Sequence, residues 1–321
     1  MHTAEIARRL AIEPAPVIGS HAAITDREGL EHCAFRVDET ALGVWWQQTK
    51  LPRLEGDVLW APHGTLPLTW VRPSVATVHD LTSITMPGAH RMKTILSFNL
   101  FIARSLERAS RVACVSRAVA DEIVRGFAVP ASMIELVPNG VDEFFTPGGE
   151  EEDYILFTGT LEPRKGIVEL LAAWRRLGAS RPRLVLCGDA GWKTHVPDEP
   201  GVEVTGYVTK ERLRDLYRGA LAFVYPSRYE GFGIPPLEAM ACGSPVIATR
   251  TGAIPEYAEG AALLVDANDV EGLRDAIARV LSDAALRREL RARGPERARS
   301  WGWDRGARAM TFLIEEAARC G

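Results

Sequence analysis

Two glutamates eight positions apart, Glu230 and Glu238, flank Gly231, Gly233 and the pair Pro235–Pro236 in the stretch SRYEGFGIPPLEAMACGSPVI. Carboxylates accept hydrogen bonds, so Glu238 suits ribose hydroxyls and Glu230 can reach a second polyol. Glycine lets the backbone approach a ligand closely. Paired prolines fit only the start of a helix, because further in a proline loses a hydrogen bond and clashes. The segment therefore reads as a strand over 221–225, a loop, and a helix whose free N–H groups suit a phosphate. Glu238 is expected in the first helical turn, facing the same pocket. The plainer account of Glu238 is an acid that favours the helix dipole. That account leaves the glycines, the prolines and the second acid unexplained.

A second stretch, GTLEPRKGI (159–167), also links a strand to a helix. Arg164 and Lys165 stand just before the first turn, where the dipole disfavours cations by roughly 0.3–1 kcal/mol each. Two adjacent cations there suggest a shared anion, and a diphosphate clamp would draw charge off a leaving group. The plainer account is two solvated surface charges. A third stretch, TVHDLT (77–82), puts His79 and Asp80 at the end of a strand, and His63 in WAPHG ends its neighbour. These can line an opposite wall, although a lone histidine often serves structure alone.

The elements that must position these residues follow from the pattern. In the second half, apolar strands over 153–160, 182–189, 202–208, 221–227 and 244–250 alternate with helices over 167–177, 210–220 and 235–243. A short strand over 261–269 and a helix over 270–283 close the series. That alternation marks a doubly wound parallel α/β sheet, buried on both faces. Loops at the carboxyl ends of such strands bind ligands. The first half repeats the alternation less cleanly, with strands over 56–64, 74–81, 110–116 and 133–141 and helices over 90–109 and 117–127. Pro, Gly and acidic residues crowd 142–152, which reads as a boundary. The expected division is an N-terminal domain over 1–145, a C-terminal domain over 146–300, and a terminal helix over 301–321. The helix carries an apolar stripe (Ala307, Met310, Leu313, Ile314, Ala317) that needs a partner surface.

The chain has 321 residues, 46% apolar and 25% charged, with a net charge of −4. Two soluble domains fit that length and composition. The slight acidity argues against broad binding to nucleic acid. Five cysteines at 33, 114, 187, 242 and 320 form no C-x-x-C pair, which fits a reducing cytosol. No apolar run reaches the ~20 residues of a membrane span. The basic and apolar stretch 90–111 could still rest on a membrane surface, or be a core helix. No D-x-D, G-x-x-x-x-G-K-[ST], G-x-G-x-x-G, H-x-x-x-H, cysteine cluster or G-x-S-x-G is present. Readings as a metal–diphosphate transferase, ATPase, dinucleotide enzyme, zinc protein or serine hydrolase are weakened accordingly.

PSRYEGFGIPPLEAMACGSPVIAT resembles the E-x7-E signature of retaining, nucleotide-sugar-dependent transferases of glycosyltransferase family 4, which have the GT-B fold. FTGTLEPRKG resembles their phosphate loop, and TVHDLT, VACVSRAVADEI, VPNGVD and SWGWDRGA fit the same family. GTLEPRKG together with HDLT is most similar to the mannosyltransferase branch. The resemblance runs over roughly residues 55 to 316. It implies two Rossmann-like domains facing a cleft, with the terminal helix returning to the N-domain. It implies that Glu230 contacts the donor sugar and Glu238 the ribose. Arg164 and Lys165 would bind the diphosphate, in a loop that includes Gly159 and Thr160. The backbone of Gly231, Phe232 and Gly233 would bind sugar and phosphates, and His79 would sit beside the donor sugar. The implied reaction needs no metal and no other cofactor. It moves a hexose, with retention, from a nucleotide sugar (GDP-mannose first, then UDP- or dTDP-sugars) to a glycan, lipid-linked or small-molecule hydroxyl. The expected setting is cytoplasmic, with peripheral contact at the inner membrane face. Members begin with a strand and a glycine-rich loop; here Met1 opens onto HTAEIARRLA, which resembles the helix that follows them. The alternatives are a non-catalytic nucleotide-sugar-binding partner of another transferase, and a GT-B phosphorylase using pyridoxal phosphate.

Overall fold

The computed structural model describes residues 2–10, 17–20, 34–37, 48–49, 51–53, 56–89, 92–189, 191 and 198–319. Cys33, Cys320 and the first two residues of the anticipated 90–109 helix lie outside them. The chain forms two compact units, Met1–Asn139 with Trp303–Gly321, and Gly140–Gly302.

The first unit opens with helix α1 (His2–Arg9) and a parallel strand pair, β1 (Val17–Ser20) and β2 (Ala34–Val37). Neither strand is marked in the sequence, since four residues show no usable alternation. Four further parallel strands form one sheet in the order β3-β4-β5-β6: Leu59–Ala61, Ser74–Val78, Arg111–Cys114 and Ile134–Leu136. Every residue of β4 is buried, as a parallel strand covered on both faces requires. Helices α2 (Thr82–Thr85), α3 (Met92–Arg108) and α4 (Arg117–Phe127) connect them. Ser116 caps α4, its hydroxyl accepting from the Val119 N–H at 3.2 Å. The second half of α3 turns Ile102, Ser105 and Leu106 into the core. No helix among the described residues is long and apolar enough to cross a membrane.

The second unit is a six-stranded parallel sheet in the order β12-β11-β10-β7-β8-β9. Its strands are β7 (Tyr154–Thr158), β8 (Arg183–Cys187), β9 (Val202–Gly206), β10 (Ala222–Tyr225), β11 (Val246–Thr249) and β12 (Leu263–Val265). The chain builds outward from β7 to β9, then crosses back and pairs β10 against the other side of β7, Phe223 opposite Leu156. The β7–β10 seam is thus the topological switch point, where open α/β sheets take ligands. Helices α5 (Ile167–Arg175), α6 (Lys210–Gly219), α7 (Ile234–Ala241), α8 (Ile254–Ala258), α9 (Val270–Ser282) and α10 (Ala284–Arg299) cover the sheet.

α10 is arginine-rich and contains Pro295, so its pattern does not read as a helix. Three of its arginines bond to carbonyls elsewhere in the unit. Arg287 donates to the carbonyls of Val280 and Leu281 at 2.9 and 2.7 Å, at the end of α9. Arg291 reaches Ala220 and Gly243 beyond α6 and α7, at 2.8 and 3.2 Å. Arg297 reaches Glu256 and Tyr257 in α8 at 2.8 and 2.9 Å. Cations favour these carbonyl ends, so one helix closes the C-termini of four others.

The units part at Asn139/Gly140 and Gly302/Trp303. Residues 140–145 side with the second unit. The Val141 N–H donates to the Trp301 carbonyl at 2.9 Å, and the Phe145 ring meets Tyr217 edge-on at 5.9 Å. The terminal helix α11 (Trp303–Ala318) returns to the first unit, where it packs on α1 and on β4, β5 and β6. Its stripe of Ala307, Met310, Leu313 and Ala317 is buried there, with Ile314 at the margin. Gly306 makes the approach close: a Cβ on it would lie 2.3 Å from the Pro138 carbonyl oxygen.

Candidate functional site

Two loops leave the carboxyl ends of β7 and β10 at the switch point, 159–166 and 226–233. Gly166 sits at φ 71°, and a Cβ there would stand 2.1 Å from the Pro226 carbonyl oxygen. Only glycine meets both conditions, so this residue presses one loop against the other. The Arg228 N–H then donates to the Arg164 carbonyl at 2.7 Å.

That contact delivers Lys165 to Glu230. Both are buried, and the Lys165 ammonium stands 2.7 Å from Glu230 Oε1. Ser227 Oγ donates to the same oxygen at 2.6 Å and the Tyr225 hydroxyl at 3.0 Å. The Arg164 guanidinium stands 3.5 Å away and also pairs with Glu162 at 2.6 Å. All these donors meet Oε1; among the described residues none donates to Oε2. Lys165 spends two of its three N–H donors, on Glu230 and on the Tyr225 hydroxyl at 2.6 Å. Burial pulls its pKa below the ordinary lysine value, Glu230 pulls back, and Arg164 adds to the lowering.

Glu238 makes a separate cluster. It is the fifth residue of α7, in the second turn and not the expected first, and it is buried. Ile234 takes the first helical position, so the two prolines fill the next two. The Tyr217 hydroxyl donates to Glu238 Oε2 at 3.0 Å and lies 2.9 Å from Thr158 Oγ1. Among the described residues none donates to Oε1. Burial pushes this carboxyl up to about 7, against the Tyr217 hydrogen bond and the Lys210 charge, which lower it.

The glycine loop presents donors. The N–H groups of Gly231, Phe232 and Gly233 find no acceptor among the described residues, although all three residues are buried. Buried backbone donors are nearly always satisfied, so three in a row mark a place for ligand or water oxygens. The Phe232 side chain turns away, into Tyr257 and Trp301 at 5.5 and 6.0 Å. The Tyr257 hydroxyl donates to the Gly233 carbonyl at 2.5 Å and fixes the loop from behind. Gly159 stands at φ 133° at the end of β7, its N–H bonded to Cys187, and Thr160 is exposed beside it.

His79 and His63 lie in the first unit, at the carboxyl ends of the paired strands β4 and β3, with ring centroids 6.3 Å apart. His79 Nε2 is 2.9 Å from the Pro62 carbonyl oxygen and must be the donor. Burial lowers its pKa, which favours the neutral ring. Asp80 is used locally: its Oδ1 accepts from the N–H and hydroxyl of Thr82. Among the described residues no group of three or more His, Cys, Asp or Glu could hold a metal ion.

The family model for glycosyl transferases group 1 matches residues 142–297, and that for glycosyltransferase family 4 matches residues 45–143. Escherichia coli O-antigen chain mannosyltransferase B is 34% identical over 255 residues, covering 72% of this chain and 67% of that protein. The chain belongs to glycosyltransferase family 4. A second relative, the O-antigen chain mannosyltransferase RfbU of Salmonella typhimurium, is 31% identical over 235 residues, covering 70% and 65%. The chain thus spans about two thirds of the length of the curated relatives it matches. Among solved structures, Anabaena Alr3699/HepE in complex with UDP and glucose matches with a TM-score of 0.72 at 18% identity, covering 99% of this chain and 94% of that one. The likeness identifies the fold as GT-B.

Within this family-4 chain, the structure brings Arg164, Lys165, Glu230 and the 231–233 loop together in one unit. It gives Glu238 its own setting and places His79 in the other unit. Sequence reasoning passed over Tyr225, Ser227, Tyr217 and Thr158, which hold the two glutamates. The available signal was a tyrosine at the end of an apolar strand, because a buried phenol needs a partner for its hydroxyl.

Proposed function

We propose that this glycosyltransferase moves a hexose from a nucleotide-diphosphate sugar to the hydroxyl of a glycan, lipid-linked or small-molecule acceptor, with retention. GDP-mannose is the favoured donor and UDP- and dTDP-sugars are its competitors. The observation that carries this reading is the row of unpaired N–H groups in the buried residues Gly231–Gly233, beside the Oε2 of Glu230 to which no described residue donates, at the switch point of the sheet. The N–H row suits phosphate and sugar oxygens, and Oε2 suits a sugar hydroxyl. Oε1 of Glu238 suits a ribose hydroxyl. The mannosyltransferase names of both relatives support mannose.

In the proposed step, the bond from the anomeric carbon to the phosphate oxygen breaks. The nucleoside diphosphate leaves with the electron pair. The acceptor oxygen bonds to the same face of that carbon and passes its proton to the departing phosphate. Arg164 and the remaining N–H of Lys165 hold the leaving charge, a role that calls for no metal or other cofactor in this reading. His79 joins the reading through the family resemblance alone. Peripheral membrane contact through 90–111 belongs to the same proposal, and co-sedimentation with liposomes tests it.

The central test is calorimetric titration with GDP, UDP and dTDP on wild type and Glu238→Ala. Binding of GDP that weakens in the variant is expected. Preference for another base removes the GDP assignment, and binding of none overturns the donor reading. NMR of the transferred sugar then gives the anomeric outcome; an inverted product removes retention.

A further inference from the structure

The two glutamates are tied by the same device. The Tyr225 hydroxyl receives a hydrogen bond from Lys165 at 2.6 Å and gives its own proton to Glu230 Oε1 at 3.0 Å. The Tyr217 hydroxyl gives its proton to Glu238 Oε2 at 3.0 Å and stands 2.9 Å from Thr158 Oγ1. A phenol has one proton, so Thr158 is the donor to Tyr217 whenever Tyr217 serves the carboxylate. Both inputs come from one place, the end of β7 and the loop after it. In each case one carboxylate oxygen is pinned and the other is left over.

Packing alone does not call for these hydroxyls. The rings belong to an aromatic stack in which Phe223 lies 5.4 Å from Tyr217 and 6.0 Å from Tyr225, and Phe157 lies 5.9 Å from Tyr225. Phenylalanine already serves that stack. Burial holds both phenols well above the ordinary tyrosine range, so each keeps its proton and remains a donor.

We propose that Tyr217 and Tyr225 are positioning residues that divide the donor between them, Tyr217 aiming Glu238 at the nucleoside and Tyr225 aiming Glu230 at the sugar. The division rests on the donor reading above. The tying of each carboxylate rests on the geometry alone.

Tyr217→Phe and Tyr225→Phe keep the ring and remove the hydroxyl, and Thr158→Val weakens Tyr217 from behind. Calorimetry with GDP, UDP and dTDP and turnover of GDP-mannose and UDP-glucose are measured on each. Losing one such hydrogen bond should lower affinity about tenfold. Tyr217→Phe is expected to show that loss for the nucleotide, with Thr158→Val showing a smaller one. Tyr225→Phe should bind nucleotide within about twofold of wild type and lose about tenfold in kcat with KM little changed. Equal losses of nucleotide affinity and turnover in both tyrosine variants would mark a merely structural role and overturn the division, as would wild-type behaviour in both. A ligand-free readout stands beside these: NMR titration of the labelled Glu238 side chain. The midpoint should rise in Tyr217→Phe and stay put in Tyr225→Phe. If wild type binds no nucleotide, the donor reading alone fails. An unmoved Glu238 midpoint in Tyr217→Phe overturns the tying itself.

Discussion

The Lys165 ammonium stands 2.7 Å from Oε1 of Glu230, and the two side chains are only 9% and 8% exposed. A buried pair of this kind is hard to break from one side, because the remaining charge is stranded. Lys165→Met should therefore cost about 3 kcal/mol of stability, and Lys165→Met with Glu230→Gln should recover much of it. Urea unfolding of the single and double variants measures this. A single variant as stable as wild type would show that Arg164, 3.5 Å away, already neutralises Glu230.

Glu238 sets a pH dependence. The unfolded chain releases its proton near the ordinary 4.5, and burial delays release to about 7 in the folded protein. Between those values the folded state holds the extra proton, so stability falls as pH rises. The contribution is complete below about 4.5 and gone above about 7, and it amounts to about 3 kcal/mol. Glu238→Gln should flatten the slope over that window in urea unfolding. Nucleotide affinity should run the other way and strengthen as pH rises through about 7, because ribose hydroxyls favour the carboxylate. A wild-type stability profile matching the variant's would refute the buried, protonated carboxyl.

Gly166 tests whether loop contact builds the site. Alanine there must hold φ 71° and put its Cβ 2.1 Å from the Pro226 oxygen. Strain and clash together should cost about 3 kcal/mol and displace the loop that carries Arg164 and Lys165. Gly178 is the control, with φ 93° but open space around its missing Cβ. Gly178→Ala should lose about 1 kcal/mol from strain alone. Thermal unfolding of both variants separates the contributions, and equal losses would mean that the Pro226 contact yields easily.

Most of the second unit was legible because buried parallel strands and amphipathic helices write their periods into the chain. The 182–189 and 221–227 runs became β8 and β10, and the proline pair marked the start of α7. α10 was not legible, because Arg287, Arg291 and Arg297 turn to helix ends elsewhere in the unit, so its inward positions include arginines and leave no clean apolar stripe. β1 and β2 are too short to show alternation. At the site, residue type singled out Arg164 and Lys165 but not how differently they are buried. Pro163–Lys165 is a 3-10 turn that buries Lys165 and leaves Arg164 partly exposed. Adjacent positions in one short turn face different ways, and only the folded loop shows which is inside. The tyrosines behind the glutamates were hidden for a related reason: in a strand or helix they read as core.

That difference in burial yields the functional prediction. Arg164 is 21% exposed at the side chain and its Nε already pairs with Glu162 at 2.6 Å. Removing it strands no buried cation, so Arg164→Ala should stay within about 1 kcal/mol of wild-type stability. Its guanidinium nonetheless stands 3.5 Å from Oε1 of Glu230, the residue that precedes the Gly231–Gly233 donors. If it holds the leaving diphosphate, its loss should lower turnover by about 10²–10³. Steady-state transfer with the preferred nucleotide sugar, alongside a melting curve, makes the comparison. Low turnover in a stable protein supports the clamp, whereas wild-type turnover removes Arg164 from it and leaves Lys165 as the remaining cation on that loop.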